Sequence, residues 1–130
     1  MSGAVLMTLP SAKPAALTYA DAMVRDLNRA AQNSLTRGEP YGFGMTQAGY
    51  TVYAFREEAW EAVNAGAPAG KIDAVLTIEG RKAKLPETAA PIIVFEPTGM
   101  NVPFSVLLTG DQARLEITAN GAGAIEMVQR

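Results

Sequence analysis

A chain of 130 residues, 48% of them hydrophobic and 18% charged, is long and apolar enough to bury one core, which excludes a disordered polypeptide. Eleven basic against thirteen acidic residues leave a net charge of −2, so nothing in the balance draws the protein to nucleic acid or anionic lipid. Histidine and cysteine are both absent, which excludes disulfides, thiolate chemistry, histidine-dependent triads and the usual zinc sites.

The chain opens on MSGAVLMTLP, a weakly apolar stretch too short to span a bilayer and lacking the basic start of a secretory signal. Two readings fit it: a disordered leader, or the tail of a longer apolar helix. Pro10 and Pro14 then imply a break or kink. Residues 18–37 carry the one strong helical pattern. Ala20, Met23, Val24, Leu27, Ala30, Ala31 and Leu35 recur at three- and four-residue steps, while Asp21, Arg25, Asp26, Arg29 and Gln32 fill the opposite side. Thr18 with Asp21 approximates a capping box, and Gly38 supplies the stop. Burying Leu27 or Leu35 is worth roughly 1.5–3 kcal/mol each, so the stripe must meet a partner surface. Its alanines allow the close approach of a sheet.

After Gly38 the period changes to two. YGFGMT (41–46) and YTVYAF (50–55) read as strands joined at Gln47-Ala48-Gly49. Residues 56–71 read as a loop with a helical turn around 58–63, Trp60 plugging the sheet. Residues 72–86 give a strand, a turn at Glu79-Gly80-Arg81-Lys82, and an edge strand guarded by Lys82 and Lys84. PIIVFEP (91–97) reads as a strand buried on both faces. Phe95, Pro97 and Gly99 mark its closing turn, with Pro97 ending the ladder and Gly99 allowing positive φ. PFSVLLT (103–109) leads through a Gly110-Asp111 turn into ARLEITA (113–119), where Leu115 and Ile117 point one way. Asn120-Gly121 is the strongest hairpin signal, and AIEMV (124–128) returns. The pattern predicts an α+β fold: an N-terminal amphipathic helix packed on an antiparallel β-sandwich of about eight short strands.

No set of residues assembles a catalytic site, and no cofactor or metal is expected. Gly42-Phe43-Gly44 lacks the strand-to-helix context of a phosphate loop. Glu57 and Glu61 would share a helical face, but the Asp/Asn/Gly alternation of a calcium loop is missing. Glu96 has no second carboxylate beside it in sequence for glycosidase-like work, and no serine sits in a nucleophile elbow.

The order of these elements resembles the soluble part of a minor pseudopilin of the type II secretion system, of the GspH/FimT-like family. The resemblance rests on Ala22, Leu27, Ala30, Ala31 and Ser34 of the helix, on Phe95, Pro97 and Gly99, and on the 113–128 hairpin. It implies a pilin-like fold and a mechanical role near the tip of a periplasmic fibre that moves folded proteins across the outer membrane. Other pseudopilins are the implied partners, and an inner-membrane helix, not contained in this chain, is the implied anchor. Residues 1–15 are then the remnant of that apolar helix with a kinked linker, and residues 16–130 the globular domain. Such proteins begin with a leader ending in Gly followed by Phe-Thr-Leu-x-Glu, which is not found here. The polar side of the helix, Asp21, Arg25, Asp26 and Arg29, is the expected interaction surface.

Two alternatives compete. A DNA-uptake minor pilin of type IV pili needs clustered basic residues, and the slightly acidic balance opposes it, so nucleic acid is not an expected partner. A β-sandwich module binding sugar or peptide needs exposed aromatics, for which Tyr41, Phe43, Tyr50, Tyr53 and Phe55 are candidates. Alternation is taken to place Tyr41 and Phe43 on one face and Tyr53 and Phe55 on opposite faces, so that some must be core.

Overall fold

The computed structural model describes residues 13–130, so the expectations for MSGAVLMTLP and Pro10 fall outside the described residues. Helix α1 runs Ala15–Arg37, three residues longer at its start than the stripe predicts. The capping box does not form. Pro14 holds the cap position with no side-chain cap, and the Thr18 N–H bonds to the Pro14 carbonyl at 3.1 Å, one turn inside the helix. Proline suits a helix entry because its φ is already helical and its missing N–H would have had no partner there. Gly38 ends α1 as expected, at φ 67°, its N–H bonded to the Ser34 carbonyl at 3.2 Å.

Nine strands follow: β1 (Tyr41–Thr46), β2 (Gly49–Arg56), β3 (Ala59–Gly66), β4 (Asp73–Ile78), β5 (Arg81–Ala83), β6 (Ile93–Phe95), β7 (Phe104–Thr109), β8 (Arg114–Ala119) and β9 (Ile125–Gln129). They form two antiparallel sheets, ordered β3-β2-β1-β6 and β5-β4-β7-β8-β9. The α+β architecture of one helix on an antiparallel sandwich is the one the pattern predicts. Phe43 of the first sheet stacks on Phe104 of the second with centroids 5.9 Å apart, and Phe95 meets Phe104 edge-on. Met23 and Leu27 of α1 close this core and are fully buried. Gln47, in the β1–β2 turn, also joins the sheets: its amide exchanges two hydrogen bonds with the Ala74 backbone of β4, at 2.9 and 3.2 Å. A side-chain amide there does what a neighbouring strand would do.

Several local expectations are corrected. Residues 56–71 contain a full strand, β3, paired along β2 with an irregularity between Val52 and Tyr53, rather than a loop with a helical turn. The turn feeding it is Glu57-Glu58, at φ 51° and 64°, a tight hairpin without the Asn-Gly that usually announces one. PIIVFEP holds only a three-residue strand, β6, at a sheet edge; Ile93 and Phe95 face the core while Ile92 is exposed. The β7–β8 connection spans residues 110–113, closed by Gly110 N–H to the Ala113 carbonyl, so Gly110-Asp111 is not a two-residue turn. Asn120-Gly121 does begin the last hairpin, but the loop spans 120–124 and the positive φ falls on Gly123. Asn120 acts through its side chain, accepting from the N–H groups of Ala122 and Ala124. At the end of α1, Leu35 is 55% exposed because the last turn outruns the core. Ser34 is buried instead, its hydroxyl satisfied by the Ala31 carbonyl.

Candidate assembly surface

The 23 residues of α1 divide between an inner and an outer face. Ala20, Met23, Leu27 and Ala30 are buried, while Arg25 and Arg29 are exposed and Asp21 is half-buried beside Lys13, with which it pairs. Asp26 is the exception among the four polar residues expected to form one surface. It is 4% exposed and faces the first sheet, so it leaves the exposed set. Its place follows from helical spacing, three residues after Met23 and four before Ala30, both buried. The Tyr50 hydroxyl of β2 donates to its carboxylate at 2.7 Å, and Arg25 approaches the other oxygen at 3.4 Å.

Tyr19 packs beside this pair, its ring 5.7 Å from that of Tyr50. Burial pushes the Tyr19 phenol up to about 12, and among the described residues no partner takes up its hydroxyl. Burial also raises Tyr50, and the hydrogen bond to the Asp26 carboxylate raises it further, so both phenols stay protonated.

Tyr41, Phe43 and Tyr50 are core residues and offer no platform for a ligand. Tyr53 and Phe55 lie two apart in β2 and therefore share the outer face of the first sheet. Each meets Trp60 edge-on, at 6.5 and 5.1 Å, so Trp60 covers the sheet's outer face with two aromatic companions contributed by the neighbouring strand. In the Glu96–Gly99 turn the Gly99 N–H bonds to the Glu96 carbonyl, Gly99 has φ 83°, and the Asn101 side chain accepts from the Glu96 N–H. Glu96 thus serves the turn through its backbone. Among the described residues no cluster of three acidic side chains could hold a metal, and Glu57 and Glu61 are parted between a turn and a strand.

The family model of the type II transport protein GspH matches residues 19–123, from the first turns of α1 to the last hairpin. The chain belongs to this family. It is a minor pseudopilin of the type II secretion system. Two structures of the minor pseudopilin EpsH from the type II secretion system of Vibrio cholerae superpose with TM-scores of 0.72 and 0.73 at 14% identity. Both alignments cover 88% of this chain, and 95% and 93% of theirs. The solution structure of E. coli GspH gives a TM-score of 0.60 at 17% identity, covering 88% of each chain. At such identities the likeness is one of fold. No curated protein matches the sequence.

Pseudopilins of the type II system assemble with one another and combine an inner-membrane anchor with a periplasmic domain. No helix among the described residues of this pseudopilin is long and apolar enough to cross a membrane. Sequence pattern placed Arg25 and Arg29 correctly on the outer face of α1 but missed a feature beside them. Arg29, Asn33 and Arg37 recur at four-residue steps and meet Arg56 and Asn64 along one groove. The regular spacing was a signal; the partners from β2 and β3 become neighbours only through folding.

Proposed function

We propose that this pseudopilin sits near the tip of the secretion fibre, takes no part in catalysis, and contacts neighbouring pseudopilins through the outer face of α1 at Asp21, Arg25 and Arg29. The observation that carries this reading is the division of one helix into an apolar face committed to the head and a mixed-charge face left exposed. Opposite charges at four-residue spacing, Asp21 and Arg25, suit pairing across a subunit boundary, where they set register more than affinity. In the same reading residues 1–15 are the remnant of an inner-membrane anchor with a kinked linker, and residues 16–130 are the periplasmic head. A helix entered through Pro14 suits a change of direction between the two.

The chain has no cysteine, so a single Arg25→Cys substitution gives a clean site for crosslinking. In cells secreting an exoprotein, that variant is expected to crosslink to another pseudopilin, and Arg25→Glu to reduce secretion while the head stays folded. Full secretion by Arg25→Glu together with no crosslink from position 25 would overturn the assignment of this face. The anchor is tested separately by fractionating source cells and taking the intact mass of the native protein. A membrane-bound species heavier by an apolar segment of about twenty residues supports it, and a species of this chain's own mass in the soluble fraction opposes it.

A further inference from the structure

Beside the C-terminal half of α1 lies a groove of about 330 Å³, walled by Arg29, Asn33 and Arg37 on one side and by Arg56, Val63 and Asn64 on the other. We propose that this groove binds an acidic, extended segment of a partner protein, which lies along α1 against Val63 and Asn64 of β3. The inference deepens the assembly reading by naming the chemistry of a partner, and it is tested away from the fibre.

Charge supports it first. Arg56 is neutralised by Glu39 at 3.1 Å, with Glu61 at 4.0 Å. Arg29 and Arg37 are exposed and have no carboxylate within salt-bridge distance among the described residues. Two guanidiniums therefore face the groove uncompensated, in a molecule that is slightly acidic as a whole. Arginine in this state suits a carboxylate, which it can hold through two parallel hydrogen bonds.

The dimensions agree. Eight residues of helix separate Arg29 from Arg37, about 12 Å at 1.5 Å per residue. Two side chains four apart on one face of a strand are separated by about 13 Å. A segment carrying carboxylates at positions i and i+4 therefore matches both arginines, with Asn33 opposite position i+2. A nucleic acid fits less well. Glu39 and Glu61 pair with Arg56 in the groove wall, opposing a continuing polyanion.

The test uses the 130-residue protein and a fluorescein-labelled octapeptide of alternating valine and aspartate, read by fluorescence anisotropy. Binding is expected with a Kd below about 100 μM. Arg29→Gln with Arg37→Gln should weaken it at least tenfold, with an unchanged far-UV circular dichroism spectrum. Arg37→Gln alone, in the exposed last turn, gives a second variant in which a folding defect is not expected. A Kd in the millimolar range or equal affinity in the arginine variants would overturn the proposal. Displacement of the peptide by a tighter-binding single-stranded oligonucleotide would overturn it in favour of nucleic acid. None of these outcomes bears on crosslinking from position 25, so failure here leaves the fibre contact standing.

Discussion

The Tyr50 hydroxyl donates a 2.7 Å hydrogen bond to the Asp26 carboxylate, and this pair keys α1 to β2. Both residues are buried, so the bond is made where water cannot replace it. Tyr50→Phe leaves a buried carboxylate short of a donor and is expected to cost about 1.5–3 kcal/mol, the range for hydrogen bonds to charged groups. Asp26→Asn keeps an acceptor and removes the charge, so Tyr50→Phe should cost less in that background. Urea unfolding of the two single variants and the double variant measures the coupling. A coupling near zero would mean that the bond is incidental and the helix is held by packing alone.

Alkaline pH should loosen the same region. Tyr19 is raised from 10.0 to about 12 by burial, and Tyr50 is raised by burial and by Asp26. A phenol whose pKa is higher in the folded state binds its proton more tightly there. Its contribution is complete below the unfolded value of 10.0 and is lost as pH climbs toward the folded value. Stability is therefore expected to be flat in these groups up to about pH 9. Above pH 10 it falls by at most about 1.4 kcal/mol per pH unit for each tyrosine. Tyr19→Phe should flatten the slope, because it removes one titrating group. Denaturation curves from pH 8 to 11 read the effect, and an unaltered slope in Tyr19→Phe would show that Tyr19 ionises as freely as in the unfolded chain.

Two glycines of β1 let the chain before β6 cross the outer face of the first sheet. A Cβ on Gly44 would lie 2.0 Å from the Ala90 carbonyl oxygen, whereas a Cβ on Gly42 would meet side chains, Pro91 at 2.9 Å and Trp60 at 3.1 Å. Backbone yields less readily than a side chain. Gly44→Ala is thus expected to cost about 3 kcal/mol or more and Gly42→Ala about 1 kcal/mol. Thermal unfolding of the two variants orders them. Equal losses would mean that residues 86–92 shift freely.

What the sequence made legible was whatever repeats or punctuates. The stripe Ala20-Met23-Leu27-Ala30 announces a helix on a sheet, and the stop at Gly38 is where a left-handed residue is needed. Alternation located β1, β2, β7 and β8 within a residue or two. β3 was hidden because an edge strand need not alternate: most of AWEAVNAG is solvated, so burial imposes little pattern on it. Asp26 is buried against the expectation from its charge, because its spacing from Met23 turns it inward. The groove at Arg29 and Arg37 depends on β2 and β3 arriving beside α1, and contacts between elements distant in sequence leave no local trace.

The Glu57-Glu58 turn shows the same concealment and allows a direct test. Both residues hold positive φ, 51° and 64°, a region that costs an L-residue with a Cβ about 1–2 kcal/mol. A two-residue hairpin needs this geometry because its twist matches that of the flanking strands, and asparagine followed by glycine adopts it most easily. The strain is held by the β2–β3 ladder, in which Arg56 pairs with Ala59 and Phe55 with Trp60. Glu57→Asn with Glu58→Gly should therefore stabilise the protein, raising Tm by about 3–8 °C, without altering the β3 edge. A fall in Tm would mean that the two carboxylates make stabilising contacts that outweigh the backbone cost. Peptide binding unchanged in this variant would show in addition that the turn supports β3 without itself forming part of the groove.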